Sequence, residues 1–585
     1  MEEQMIDSPS RSVTAQGTEE IKADVTTSDE DLVALATSWM KEADTLHDHL
    51  ERVQKENEDY YKGKQTKKDM IPGHQSDAVD NRIFTSIETI CPIITANPPQ
   101  WMAMPGQETE NSMTIANATQ KMLQTQYDVR NVKDKLRDGI RNMLVYRLGI
   151  WKVFWDEEVG DVNLKVIRPQ RIWVSPFGNT VDELPYIIEK IDMTFDEIED
   201  VFGKKVLDEI SKAPQAVEDE NNEIEKVRTI WEVWTDDIVF WKYGGKILKK
   251  LPNPYWDWEG TQGADIDELK FYNHFSKPRK PYIIRSPFTL GNSIIGDTDL
   301  IQQAIPMQDI INTNLRQITN NANKIGNPRL LIDNQAMTKE EAAMITNAPG
   351  QILMGDGVAD PSKFRYEDVP SLPPYIFANM QNGMAEIDNI MGTHSTTRGE
   401  QGSSETLGGR ILLKQQDFGR IGDIVGLLES AVTEIGNWFV QMFKLYYDTT
   451  KTIKLYGQDG IEFVTLSRDE IEDGLEIIIK AGSTLPTDEV SRRNEALELW
   501  QMGVLDPITL FERMKFPNPE ETAQRLIAWQ TGQLVPGQPL PGEQAEQPGG
   551  SGGVRQPGVG TLGTSAQSTR KSVDSQGQQT RKSGA

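Results

Sequence analysis

Residues 405–448 read ETLGGRILLKQQDFGRIGDIVGLLESAVTEIGNWFVQMFKLYYD. Within them Phe418, Ile421, Val425, Leu428, Val432, Ile435, Phe439, Met442 and Tyr446 recur every three or four residues without a break. That spacing keeps side chains on one face of an α-helix. It predicts a single helix over 405–448, roughly 65 Å long at about 1.5 Å per residue. Ile424, Ala431 and Trp438 widen the apolar face, so burial on two sides is expected. Gly419, Gly422 and Gly426 would each weaken the helix by about 1 kcal/mol unless a neighbour uses the space they leave.

Working outward, Gly392-Thr-His-Ser-Thr-Thr-Arg-Gly-Glu-Gln-Gly-Ser-Ser404 holds nothing apolar enough to dock and reads as a polar loop. A helix over 375–391 precedes it, and a compact segment of short mixed elements lies at 326–371, between Asn327-Pro328 and Pro373-Pro374. Before that, 299–325 reads as helix, with a stripe of Ile311, Leu315, Ile318, Ala322 and Ile325. Its other faces carry Gln302, Gln303, Gln308, Asn312, Asn314, Gln317, Asn320, Asn321 and Asn323. Pro306 is expected to kink this helix or to mark its true start.

Further toward the N-terminus, Ser28 opens a helix whose first turn carries Asp29, Glu30 and Asp31, where carboxylates suit the helix dipole. Its apolar repeat is expected to pack on its own domain rather than in a coiled coil. Lys62, Lys64, Lys67 and Lys68 make a basic loop. Helical stretches follow over 76–95 and 107–148, separated by Asn97-Pro98-Pro99-Gln100. Strands are expected at 150–155, 162–167 and 171–176, then in a tryptophan-rich meander over 226–258 with a Gly244-Gly245 hairpin turn. Trp231, Trp234, Trp241, Trp256 and Trp258 read as sheet-core aromatics in preference to a base-stacking platform. On the C-terminal side a strand pair around Gly457–Gly460, a strand over 475–480, a helix capped by Thr487 and short helices to about 530 complete the folded part. Residues 1–27 and 531–585 have the composition of disordered segments. The tail carries Thr569-Arg-Lys-Ser572 and Thr580-Arg-Lys-Ser583, short basic copies read as a solvated end.

Composition narrows the function. The 585 residues carry a formal net charge of −28. Such a surface repels nucleic acid in bulk, whereas a sequence-specific DNA reader needs Lys and Arg for phosphates. One cysteine, Cys91, excludes an intrachain disulfide and a CxxC metal knuckle. No secretory signal is expected, and no apolar run approaches the length of a membrane span. Among five histidines, His47 and His49 sit two apart on a helix and point to different faces, a poor metal pair. Gly244-Gly-Lys246 lacks the first glycine of a phosphate loop, Gly355-Asp-Gly357 lacks the third glycine of a dinucleotide fingerprint, and Gly402-Ser-Ser404 is not a nucleophile elbow. Asp196, Glu197, Glu199 and Asp200 read as a solvated helix face. No constellation asks for catalysis, a metal or a cofactor.

The order of elements is an α/β region, a helix, a small insert, a second helix, a polar loop, a very long helix and a helical C-terminal region. It resembles the portal, or head-to-tail connector, proteins of tailed double-stranded DNA bacteriophages. Local phrases resemble that family too: Tyr60-Tyr-Lys-Gly63, Asn81-Arg-Ile-Phe-Thr-Ser-Ile-Glu-Thr-Ile90, Gly149-Ile-Trp-Lys-Val153, Gly291-Asn-Ser-Ile-Ile-Gly296, Ile305-Pro-Met-Gln308, Asn327-Pro328 and Gly408-Gly-Arg-Ile411. The likeness covers roughly residues 30–530. It implies a mainly α fold with an α+β wing, assembled as a ring, dodecameric in the family. The wing would be 28–296 and 405–480, the stem helices 297–325 and 373–391, the clip 326–372, the tunnel loop 392–404 and the crown 481–530.

The resemblance further implies a channel for packaging and ejecting double-stranded DNA. The partners would be a terminase packaging motor, a head-tail adaptor, and the major capsid and scaffold proteins, with no membrane. The place would be a unique capsid vertex, after assembly in the host cytoplasm. Channel candidates are Thr393, His394, Ser395, Thr396, Thr397, Arg398, Glu400, Gln401, Arg316 and Lys324, and clip candidates for partner binding are Lys339, Glu340, Glu341 and Asp356. DNA must slide, so a neutral, cation-poor stem is expected, because each tight phosphate contact would hold the strand. Arg398 is the leading single contact, since a ring repeats it in every subunit. Other readings are a different virion structural protein, such as an adaptor or internal head protein, or a DNA-processing enzyme.

Overall fold

The computed structural model describes residues 23–66, 75–95, 99, 101–212, 226–259, 272–333 except 292, 338–345, 360–393, 407–447, 451–457, 460–471, 474–479, 489–514 and 519–530. It divides into two compact units, 1–488 and 489–585. The second unit contributes α11 (Glu489–Gln501), α12 (Pro507–Arg513) and α13 (Pro519–Gln530), three short helices as the sequence predicts. Thr487, the expected cap of the first of them, lies outside the described residues, as do both terminal segments 1–22 and 531–585.

The first unit opens with α1 (Asp29–Tyr61). Ser28 caps it by accepting from the Asp31 backbone N–H, and the three first-turn carboxylates sit where the dipole favours them. Its buried face runs through Leu32, Ala36, Ala43, His47, Leu50, Gln54 and Asn57, so it packs on its own chain. α2 (Arg82–Ile94) and β1 (Trp101–Met104) follow. The expected single helical stretch 107–148 is two helices, α3 (Glu110–Val129) and α4 (Val132–Tyr146). The cause is Asn131, which takes a left-handed conformation (φ 50°). Asn tolerates that region better than most side chains because its amide is short and polar. Apart from Pro99, the prolyl break before β1 lies outside the described residues.

Two antiparallel sheets form the centre. β2 (Gly149–Asp156), β3 (Asp161–Ile167) and β9 (Tyr282–Arg285) make a three-stranded sheet with β2 in the middle. β4 (Ile172–Val174), β5 (Ile187–Thr194), β6 (Val227–Trp234), β7 (Ile238–Tyr243) and β8 (Lys246–Pro252) make a five-stranded meander. Period-two alternation sends Ile187, Trp234 and Val239 into a core shared with Ile150, Tyr282 and Ile284 of the smaller sheet. Ile188, Trp231, Val233 and Phe240 face the other way, onto Leu32, Ala36 and Ala43 of α1. Trp231, Trp234 and Trp256 are buried, so these rings are core and offer no stacking platform. Gly244 turns the β7–β8 hairpin at φ 53°, which settles Gly244-Gly-Lys246 as a turn. α5 (Phe195–Phe202) begins with a capping box between Thr194 and Glu197; with α6 (Lys204–Lys212) it packs Ile198 and Ile210 against Ile230 and Tyr243. Asp196, Glu197, Glu199 and Asp200 are all exposed.

The far face of the smaller sheet is covered by helices. Trp151 and Val153 meet α2, α3, α4 and α10 (Leu407–Tyr446) in one large core. The long helix is close to its expected bounds, 40 residues, about 60 Å. Ile421, Ile424, Val425, Leu428, Ala431, Val432, Ile435, Trp438, Phe439, Met442 and Phe443 are buried along it. Its close packing falls at Gly436 rather than at Gly422 or Gly426. A Cβ at Gly436 would lie 2.7 Å from the Trp101 indole nitrogen, whereas at Gly422 or Gly426 it would meet nothing within 4 Å. Trp101 Nε1 donates to the Val432 carbonyl at 2.8 Å. β12 (Lys451–Gly457) pairs with β13 (Gly460–Leu466) and β14 (Glu476–Ile479) is a strand, as the sequence signals predict; the pairing of β14 with β1 goes beyond those signals.

Between these parts run α7 (Leu300–Gly326), β10 (Leu330–Ile332), α8 (Lys339–Ala343), β11 (Phe364–Tyr366) and α9 (Tyr375–Met391). Asp299 caps α7, so Pro306 is not the start of the helix but lies inside its second turn.

Candidate functional site

The two helices that the sequence assigns to a channel are built on an amide network. α7 buries Ile301, Ala304, Gln308, Ile311, Asn312 and Asn314, so two of its buried polar groups, Gln308 and Asn312, stand one helical turn apart beside Ile311. Gln308 accepts from the Arg82 backbone N–H at 3.0 Å and donates to the Asp80 carbonyl at 2.7 Å. Asn312 accepts from the Asp80 N–H at 3.2 Å and donates to Gln65 Oε1 at 2.6 Å. Asn320 accepts from the Ser76 N–H at 2.7 Å, and Asn321 donates to the Pro370 carbonyl at 3.1 Å. Gln302 reaches Glu56 and Asn57 on α1. Tyr60 at the end of α1 donates to Asp309 at 2.7 Å; burial first, then this bond, pushes its phenol well above the ordinary tyrosine range. Four of the nine amides expected to keep a channel wall neutral, Gln302, Gln308, Asn312 and Asn320, therefore bind α7 to the chain around residues 56–82. Gln303, Gln317 and Asn323 remain exposed.

The upper end of α7 is tied down by charge. Arg147, left-handed at φ 70°, donates through Nε and Nη2 to Asp299 Oδ2 at 3.2 and 2.9 Å, while Asp299 Oδ1 accepts from the Gln302 N–H as the helix cap. α9 lies against α7 where Gly383 faces Ile311, and a Cβ at Gly383 would come within 3.1 Å of Ile311 Cγ1. The outer face of α9 presents Asn379, Gln381, Asn382, Glu386 and Asn389, and no Lys or Arg occurs in the helix.

The predicted channel residues fall out unevenly. Arg316 is half-buried and donates through Nε to its own helix at the Asn312 carbonyl, 3.0 Å away. Lys324 is exposed in the last turn, where a cation suits the unpaired carbonyls. Thr393 corrects the expectation of a channel-facing side chain in the single chain. It is fully buried, its hydroxyl 3.2 Å from Ser86 and its N–H on the Asp388 carbonyl, because it closes the end of α9 after Gly392 turns left-handed. His394, Ser395, Thr396, Thr397, Arg398, Glu400 and Gln401 lie outside the described residues, as do Asp356 and the Gly355 and Gly402 motifs. Lys339 and Glu340 are exposed in α8, and Glu341 belongs to the same helix.

The region around them is unusual in its surface. Ile325, Leu331, Met344, Tyr366, Tyr375 and Phe377 are exposed large apolar side chains, and Tyr366 and Tyr375 are 65% and 70% accessible. β10 and β11 form a two-stranded ribbon of three residues each, with no residue buried in either strand. Such a ribbon is marginal in water without a third strand or a covering element.

His47 is set apart from His49 by its surroundings. It is buried, stacks on Trp173 at 3.8 Å, and its Nε2 bonds the Gln170 carbonyl at 3.2 Å. Burial lowers its pKa, against the Gln170 carbonyl and the neighbouring carboxylates, which act to raise it. Asp48 and Glu51 lie close by but are exposed. Cys91 is buried, which pushes its thiol up to about 12. Among the described residues no helix is long and apolar enough to cross a membrane.

Residues 38–551 match the family model of the phage P22-like portal proteins. That span is most of the 585 residues, and the chain belongs to this family. It is a phage portal protein, a virion component of the head-to-tail connector, in a family that is structural rather than enzymatic. No curated protein matches the chain. A solved chain in the neck of an empty GTA particle, computed with C6 symmetry, is similar at 11% identity with a TM-score of 0.36, covering 74% of this chain and 90% of its own length.

Proposed function

We propose that copies of this portal protein close into a dodecameric ring whose axial channel passes double-stranded DNA during packaging and ejection. In this reading 28–296 and 405–480 form the wing, α7 and α9 the stem, 326–372 the clip and 481–530 the crown. His394, Ser395, Thr396, Thr397, Arg398, Glu400 and Gln401, with Arg316 and Lys324, approach the DNA, and Lys339, Glu340, Glu341 and Asp356 face the terminase motor and the head-tail adaptor. The ring sits at a unique capsid vertex among capsid and scaffold proteins, after assembly in the host cytoplasm.

The observation that supports the ring is the apolar exposure over 325–377. Among the described residues six large apolar side chains and an unburied two-stranded ribbon are left exposed, and a closed ring of identical subunits supplies a chain to cover them. The outer face of α9, without a cation, and the single exposed lysine of α7 suit a wall along which DNA slides.

Light scattering on the purified full chain tests the assembly. A particle of twelve times 65.9 kDa with an open centre in negative-stain images is expected, and a chain that stays monomeric at high concentration, with scaffold present, overturns it. Deletion of 394–401 should preserve the ring and impair DNA packaging. Loss of the ring instead would make this segment a packing element.

A further inference from the structure

Where the two central sheets face one another, a charged row is buried in an otherwise apolar core. On the smaller sheet, Lys165 of β3, Lys152 of β2 and Tyr282 of β9 are direct cross-strand neighbours, so they form one line across all three strands. On the larger sheet, Glu189 of β5 stands directly opposite Glu232 of β6. Two carboxylates in that position repel unless a cation lies between them. Lys152 is that cation: its Nζ is 2.7 Å from Glu189 Oε2 and 2.7 Å from Glu232 Oε2. The Tyr282 hydroxyl donates to Glu189 at 2.9 Å, and Trp234 Nε1 donates to Glu232 Oε1 at 2.5 Å. Lys165 stands 3.8 Å from Glu189 and is the one member of the row open to solvent, with 54% of its side chain accessible. Tyr255 stacks on Trp234, the indole that donates to Glu232.

We propose that this row is an acid-released latch, which holds the two sheets face to face at neutral pH and lets them part when its carboxylates take up protons. The charges bridge elements that share no backbone hydrogen bonds, since β2 belongs to one sheet and β5 and β6 to the other. Protonating the carboxylates strands the Lys152 ammonium in the core without a counter-charge, which favours opening over closure. Burial acts to raise the Glu189 pKa, but Lys152 and Lys165 outweigh it and hold the carboxyl below its ordinary value. Burial acts to lower the Lys152 pKa, and the two glutamates outweigh it and raise it. A depressed carboxylate stabilises the fold above its unfolded pKa, and that stability is lost as pH falls through the folded value. A raised lysine loses its contribution only as pH rises through its own folded value, so the acid side is the release side.

The test is hydrogen exchange of the β2 and β6 peptides in the full chain from pH 7 down to pH 2, corrected for intrinsic rates, with thermal unfolding alongside, because a lowered carboxylate loses its contribution only below the ordinary glutamate range. In the unaltered protein, protection of those strands should hold above the ordinary glutamate range and then fall by up to about tenfold per proton taken up for each pH unit, levelling off once Glu189 is protonated in the closed state too. Lys152→Met leaves two carboxylates facing each other, so its unfolding temperature should rise as pH falls from 7 to 5, opposite to the unaltered chain. Lys165→Gln should shift release to higher pH. The triple variant Lys152→Met, Glu189→Leu, Glu232→Leu replaces the row with apolar groups and should show β2 and β6 protection that no longer follows pH. That variant decides the matter if Lys152→Met does not fold. Parallel acid loss of protection in the triple variant and the unaltered protein overturns the latch, as does a Lys152→Met slope of unchanged sign.

Discussion

Helices α7 and α10 are both long and both bury a stripe at helical spacing, but they fill it with different chemistry. α10 buries Leu428, Val432, Ile435, Trp438 and Phe439, whereas α7 places Gln308, Asn312 and Asn314 among its buried side chains. Apolar burial is strong and non-directional. It holds α10 in the core without dictating which atom meets which, and the indole of Trp101 on the Val432 carbonyl adds the missing direction. Amide bonds are individually weaker but specify partners atom by atom. Gln308 and Asn312 together grip Gln65, Asp80 and Arg82, so the rotation and height of α7 are set by hydrogen bonds. One helix is anchored by quantity of surface and the other by identity of partner.

The contrast can be broken by substitution. Phe439→Ala in α10 removes a fully buried ring and should cost about 4 kcal/mol in denaturant unfolding. Asn312→Leu keeps the branched shape in α7, with somewhat larger end groups, but orphans the Asp80 N–H and a Gln65 oxygen. A loss of about 2 kcal/mol is expected, with proteolysis appearing first near residues 75–82. A neutral result would mean that α7 is held by its apolar stripe after all. The smallest effects separate the glycines of α10. Gly422→Ala, facing open space in the single chain, should stabilise the isolated subunit by about 1 kcal/mol, whereas Gly436→Ala must push Trp101 aside and destabilise it. If Gly422→Ala also blocks ring formation, a neighbouring copy uses the space.

Legibility in the sequence followed the same division. The periodic apolar stripe of α10 put that helix within two residues of its bounds at each end, and α9 fell on the expected 375–391. The hairpins at Gly244 and Gly457–Gly460 were readable because turn chemistry is local. The division of 107–148 into α3 and α4 was not, since only the backbone angle of Asn131 breaks the periodicity. The amides of α7 look alike in sequence whether they face solvent or grip a loop some 230–250 residues away. The signal was present, though: Gln308 and Asn312 lie on the line drawn by Ile301, Ala304 and Ile311, which marks them as inward. The row of Lys152, Glu189 and Glu232 was invisible because sheet pairing, not sequence proximity, assembles it.

Asp299 serves two masters with its two oxygens, one capping α7 and the other holding Arg147. Arg147 ends α4, and β2 begins two residues later at Gly149. The joint between the α7–α9 pair and the sheets is therefore a pinned one, with no slack chain on either side of the pin. The Asp299 carboxylate thus couples the start of α7 directly to the root of the central strand, beside the amide bonds that hold the rest of the helix to residues 56–82.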